Sequence, residues 1–145
     1  MKVAPQPGDI IRYAYLWANE NRRGKSEGRK DRPALVLALS LRNASGTTEL
    51  VVLAVTHTPP SDPADAVAFP DRLKRAIGLD GEPSWIVTTE ANSFIWPGPD
   101  LRPIPDRRPA TVIYGRVPPG FLQTIAKSFL ANRDRQRAQL VPRND

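Results

Sequence analysis

Cysteine is absent from this 145-residue chain, and histidine and methionine occur once each. Without cysteine there is no disulfide, no thiol nucleophile and no thiolate metal site, which fits a reducing cytosol. With a single histidine and no His/Asp/Glu grouping at metal-ligand spacing, neither a metal nor a cofactor is expected. A glycine-rich phosphate loop and a dinucleotide fingerprint are also missing. The longest apolar runs reach about half of the roughly 20 residues that a membrane-crossing helix needs. The stretch MKVAPQPGDI has no apolar core of signal-peptide length. The expectation is a cytoplasmic protein without a membrane partner.

Proline is plentiful by contrast: 16 residues, about twice the usual share. That favours short strands and irregular connections over a helical bundle. The length suits a single domain, 1–145. The net charge of +6 favours a polyanionic partner.

Gly8-Asp9 opens a first strand, Ile10 to Trp17, rich in β-branched and aromatic residues. Residues Asn19 to Asp31 form a basic loop, with Arg22, Arg23, Lys25, Arg29 and Lys30 set against Glu20, Glu27 and Asp31. The apolar run Ala34 to Leu39 predicts a strand buried on both faces. After a turn through Asn43, Ser45 and Gly46, Leu50 to Val55 predicts its antiparallel neighbour. AVAFP predicts a shorter strand, and DRLKRAIG a helical turn or two with Arg72, Lys74 and Arg75 exposed. Ser84 to Trp96 predicts a strand carrying Glu90, Pro97 to Pro109 a surface loop, and TVIYGRV a further strand. Pro119 starts a helix with Phe121, Leu122, Ile125 and Phe129 on one face. Short strands closed by one amphipathic helix predict a curled antiparallel sheet or small barrel with the helix packed on it.

The basic loop meets the buried strand at Arg32-Pro33. Proline restrains its own φ and pushes Arg32 toward extended backbone, so the guanidinium is held at a strand mouth. There it is either a clamp for phosphate or the last solvated residue before the core. If the two central strands pair antiparallel, Arg32 and Thr56 share one edge of the sheet. Arg32, Thr56, His57, Glu27 and Glu90 beside a basic loop suit phosphodiester cleavage without metal. Attack by a 2′-hydroxyl needs a base, fixed donors for the charge gathering on phosphate, and an acid for the leaving oxygen. Each residue also has a structural reading: Thr56 as a strand former, His57 as a hydrogen-bonded surface residue, Glu27 as a charge balance within its loop, and Glu90 as a solvated strand end.

In order and spacing these residues resemble the MazF/PemK toxins of bacterial toxin–antitoxin pairs. The resemblance is carried by Gly8-Asp9-Ile10, by Ser26-Glu27 ahead of Arg32-Pro33-Ala34-Leu35-Val36-Leu37, by a strand ending in Val55-Thr56, by Val87 to Glu90, and by Gly115-x-Val117-x-Pro119 before the helix. It covers most of the chain, with residues 97–113 looking like an insertion. It implies an SH3-like barrel of the CcdB/PemK type with a C-terminal helix, a homodimer, metal-independent cleavage of single-stranded RNA, and neutralisation by a cognate antitoxin. It also implies that Arg32 stabilises phosphate, that Thr56 is catalytic, that Glu27 lies near the site, and that Glu90 falls where some members have an acidic residue for proton transfer, a role open to Glu90 or His57. The chain departs from the family at Thr88, where some members carry arginine, at Leu16-Trp17, and in its longer basic loop. Two alternatives stand beside this reading: a non-catalytic toxin of the same fold that binds a protein such as gyrase, and a basic nucleic-acid-binding barrel.

Overall fold

The computed structural model describes residues 4–18, 31–42 and 46–143. The strands are β1 (Asp9–Tyr13), β2 (Arg32–Arg42), β3 (Thr47–Thr56), β4 (Ala66–Ala68), β5 (Trp85–Val87), β6 (Glu90–Trp96), β7 (Ile113–Arg116) and β8 (Gln139–Pro142). The helices are α1 (Asp71–Ala76) and α2 (Pro119–Asp134), with a single 3-10 turn at Pro63–Asp65. The fold is mainly β: a strongly bent, barrel-like sheet with a helix near the C-terminus. The expected architecture is what the chain builds. No helix among the described residues is long and apolar enough to cross a membrane.

The order along the sheet is β4-β5-β3-β2-β1-β7, with β6 also paired to β3 and β8 to β6. All pairs are antiparallel except β6 with β8, which is parallel. β3 is the hub. One of its edges pairs with β2, while the other pairs with β6 over Thr48–Val52 and then with β5 at Val55–Thr56. Two successive partners on one edge require the sheet to turn there, which gives the curl.

Alternation along the central strands feeds two cores. One face carries Ile10, Leu35, Leu53, Val55 and Ile86, covered by Phe121, Leu122, Ile125 and Phe129 of α2. The other carries Ile11, Tyr13, Ala34, Val36, Val52 and Phe94, flanked by Leu101 and Ile113. The α2 face agrees with the sequence reading. Gly8 takes φ +95, a value that favours glycine, where the chain turns into β1. Asp9 holds that turn, accepting from Gln6 N at 2.8 Å and from Arg116 Nε at 2.8 Å.

Several expectations need correction. β1 stops at Tyr13 instead of Trp17. Beyond it the backbone is held by a loop and by side chains: Ala14 N donates to Asp100 O, Leu16 N to Asn92 Oδ1, and Ala18 N to Glu90 Oε2. The stretch Ala34–Leu39 is buried only as far as Val36, and Leu39 is 36% exposed, because the register slips between Val36 and Ala38 and the strand runs out past the core. Ser84–Trp96 is two strands. At Thr88 the chain leaves the ladder toward α2: its N–H donates to Asp65 O, its carbonyl accepts from Asn132 Nδ2, and its hydroxyl meets Ser128 Oγ at 2.7 Å. Lys74 is 1% exposed, against the expectation of an exposed lysine. Strand β8 had no sequence expectation at all.

Candidate active site

Ala34 pairs with Ala54. Two residues further along each strand, the same register sets Arg32 opposite Thr56. Tyr13 pairs with Arg32 on the outer side, and Trp85 with Thr56 on the inner side. Both site residues therefore project at one end of the sheet, on the face of Ala34 and Ala54. Here a cleft of about 690 Å³ opens, lined among others by Trp17, Arg32, Thr56, His57, Lys74 and Asp80.

The guanidinium carbon of Arg32 lies 5.0 Å from the centre of the Trp17 ring. At this distance the cation is attracted to the face of the indole ring. Thr56 Oγ1 accepts from Thr58 N at 3.1 Å, a local turn bond that occupies a lone pair and leaves the hydroxyl hydrogen to donate elsewhere. His57 follows as β3 ends. Its Nδ1 lies 2.9 Å from Pro83 O and 3.2 Å from Ser84 Oγ, and its Nε2 lies 3.1 Å from Asp80 Oδ2.

Beneath His57, Lys74 Nζ donates to Glu82 O and to Ser84 Oγ at 2.8 Å, and lies 3.4 Å from Asp80 Oδ1. Burial is the largest single influence on the Asp80 carboxyl and pushes it up. The Glu82 N–H, the His57 ring and the Lys74 ammonium together outweigh burial and hold the group below the ordinary carboxylate range. Because the folded value is depressed, the stabilisation from Asp80 is present above the ordinary carboxylate value and is lost as pH falls through the folded one. The cleft wall is therefore intact at neutral pH.

The other carboxylates of the cleft also have cationic partners. Asp31 lies 3.5 Å from Arg12 and 3.4 Å from Arg102, and Asp65 is paired with Arg137. These pairs offset the lining carboxylates.

Glu90 does not line the cleft. The register of β3 with β6 places it beside Ala54, on the face shared by Arg32 and Thr56, but its carboxylate is turned to the segment after β1. Oε2 accepts from Ala18 N at 2.8 Å and from the Tyr15 hydroxyl at 3.3 Å. Burial first, then the Glu90 charge and this hydrogen bond, hold the Tyr15 hydroxyl well above the ordinary phenol range. Glu90 thus braces the segment that carries Trp17. Glu90→Gln keeps an oxygen acceptor for both bonds and is expected to leave folding stability within about 1 kcal/mol of the parent, measured by denaturant unfolding. Thr88 is fully buried.

Glu27 and the basic residues Arg22, Arg23, Lys25, Arg29 and Lys30 lie outside the described residues. The fold brings Arg32, Thr56 and His57 together, adds Trp17, Lys74, Asp80 and Ser84, and turns Glu90 elsewhere. No sequence signal marks Lys74, which is one of three basic residues in DRLKRA. Nothing in the linear sequence ties Asp80 to His57, 23 residues away. His57, Asp80 and Glu82 place ligand atoms within 4.8 Å of one another, a grouping hidden by that separation. All three are exposed, and the Lys74 ammonium against Asp80 opposes a divalent cation there. No protein-family model matches the chain and no curated protein matches it.

Proposed function

We propose that the chain is a metal-independent endoribonuclease acting on single-stranded RNA. The observation that carries this reading is that Arg32 and Thr56, at the facing ends of adjacent strands, line one cleft whose wall holds the His57–Asp80 pair. A phosphodiester seated between Arg32 and Thr56 would receive donors from both sides. As the 2′-oxygen attacks, negative charge gathers on the non-bridging oxygens, where fixed donors are worth most. The His57–Asp80 pair takes the 2′-hydroxyl proton as that oxygen bonds to phosphorus, and passes it to the 5′-oxygen as the bond from phosphorus to that oxygen breaks. The products are a 2′,3′-cyclic phosphate and a free 5′-hydroxyl.

The likeness to MazF/PemK toxins supports the same chemistry. With it we propose a growth-inhibiting toxin, a homodimer, and neutralisation by an antitoxin segment lying in the RNA groove. The Asn19–Asp31 loop, rich in Arg and Lys, would follow the RNA backbone.

The test is cleavage of a mixed single-stranded RNA by purified protein in excess chelator, with the new ends identified by mass. Cyclic phosphate and 5′-hydroxyl ends are expected, and both are to disappear in the Arg32→Ala/Thr56→Ala double variant. Cleavage only on addition of metal, or growth inhibition that survives the double change, would overturn the reading.

A further inference from the structure

We propose that Arg12 and Arg102 form a second phosphate site at the lip of the cleft, beside Arg32, for the RNA phosphate next to the one that is cut. This rests on the reading of the cleft as an RNA site. The loop between β6 and β7 runs along β1 there: Ala14 N donates to Asp100 O, Tyr13 bridges to Leu101, and Arg102 N donates to Arg12 O at 3.0 Å. Both arginine side chains reach Asp31, the residue before Arg32, and Asp31 and Arg32 both line the cleft. Each arginine takes one oxygen of the carboxylate. Arg12 Nη2 lies 3.5 Å from Oδ2, and Arg102 Nε lies 3.4 Å from Oδ1. Two guanidinium groups on two oxygens of one anion is an arrangement that suits phosphate.

The carboxylate is held less closely than the cations are. Charge-assisted bonds of this kind close to about 2.7–2.9 Å, and neither contact to Asp31 does. The guanidinium groups are fixed instead by main-chain carbonyls: Arg12 Nη1 donates to Pro103 O at 2.8 Å, and Arg102 Nη1 to Pro99 O and to Leu101 O at 3.2 Å. They keep their places whichever anion lies between them, which lowers the ordering cost of binding one. Asp31 offsets only one of the two charges, and Arg32 beside it adds another. Among these four residues three cations meet one carboxylate, which attracts a polyanion. Side-chain exposures of 27% for Arg12 and 36% for Arg102 leave both within its reach. Asp31 and Arg32 are consecutive, about 3.8 Å apart at Cα. A strand with its scissile phosphate on Arg32 therefore brings a neighbouring phosphate to this pair.

The test is the affinity of the intact protein for a mixed-sequence single-stranded RNA with methylated 2′-oxygens, which cannot be cut by attack of that oxygen, measured by fluorescence anisotropy across a range of salt. Arg102→Gln is expected to weaken binding about fivefold at low salt and to flatten the plot of log K against log salt by about 0.7, the value of one phosphate contact on a single strand. Asp31→Asn is expected to act in the opposite direction and tighten binding about threefold or more, because the competing charge is gone while the side chain keeps its shape. Glu49→Gln removes a carboxylate about 23 Å back along β3 from Thr56. That is beyond the screening length at physiological salt, so binding is expected to change by less than about twofold. An Arg102→Gln protein with the parent's salt slope, an Asp31→Asn protein that binds no more tightly than the parent, or an equal gain in Glu49→Gln overturns the proposal. If Arg102→Gln does not fold, the Asp31→Asn and Glu49→Gln affinities decide it alone. No cleavage enters this measurement. A protein with the expected affinities that cuts no unmodified RNA keeps the second phosphate site and loses the nuclease reading, whereas cleavage by the parent with an unchanged slope in Arg102→Gln does the reverse.

Discussion

Arg32→Lys is expected to slow RNA cleavage about 10²-fold under single-turnover conditions, although it keeps the charge. Three features of the structure lead there. The guanidinium stacks 5.0 Å from the Trp17 ring centre, a contact that depends on its planar shape. Its backbone is held between Tyr13 of β1 and the register position of Thr56 on β3, so a shorter reach cannot be recovered by moving the strand. And the opposing donor is a single threonine hydroxyl, whose placement is set by the Thr58 N–H. An ammonium group at this position offers point-charge attraction without a fork of two parallel donors. Arg32→Ala is expected to lose a further order of magnitude, about 10³-fold in all. A folded Arg32→Lys protein cutting at the parent's rate would reduce Arg32 to a solvated residue at a strand mouth.

The pairing of Arg32 with Thr56 was legible because it needs only local information. Pro33 marks a strand start, the polar residues after Val55 mark a strand end, and two adjacent antiparallel strands bring those points together. The α2 face was legible for the same reason, since helical spacing of apolar residues depends on no distant partner. Lys74 and Asp80 were not legible, because their roles come from contacts across 8 and 23 residues, with Glu82 and His57. In sequence Lys74 is one more basic residue in DRLKRA, between exposed Arg72 and Arg75. Its burial follows from the 79–84 loop folding back over α1, which no propensity encodes. Glu90 shows the complementary failure. Its face was inferable from register, but the direction of its carboxylate depends on where the chain goes after Tyr13, and that path is dictated by buried polar groups of Asn92 and Asp100.

Within the proposed reaction, the same contrast favours the His57–Asp80 pair over Glu90 as the proton carrier. Both groups line the cleft with Thr56, whereas Glu90 is committed to Ala18 N and the Tyr15 hydroxyl. A carboxylate that braces a backbone turn loses those bonds if it moves to shuttle a proton. The His57–Asp80 pair is about half exposed, with side chains 50% and 53% accessible, and can exchange its proton with a substrate oxygen in place.

Arg143→Met is expected to cost about 3–5 kcal/mol of folding stability, measured by denaturant unfolding. On thermal unfolding this corresponds to a drop on the order of 10 °C. Arg143 is a buried cation, with its side chain 1% exposed, and lies 2.7 Å from the equally enclosed Asp100. Its other nitrogen donates to Ala14 O at 2.9 Å and reaches Asn92 Oδ1 at 3.3 Å and the Tyr13 hydroxyl at 3.4 Å. Removing it takes away the cation 2.7 Å from the buried Asp100 carboxylate, so Arg143→Met/Asp100→Leu is expected to recover much of the loss by removing both charges. The effect should reach the cleft before the protein unfolds. Asn92 donates to Leu16 O at 2.7 Å and accepts from Leu16 N at 2.9 Å, and Arg143 bonds both Asn92 and Ala14. Releasing Arg143 therefore loosens the segment leading to Trp17, the platform under Arg32. Cleavage is expected to fall about tenfold in Arg143→Met at temperatures where it is still folded, through misplacement of the guanidinium. A loss of stability under about 1 kcal/mol would mean that the pair contributes no more than an exposed one, and an unchanged cleavage rate would mean that Trp17 is held by its own ring contacts with Tyr15, 5.0 Å between centroids, and not by the buried polar groups behind it.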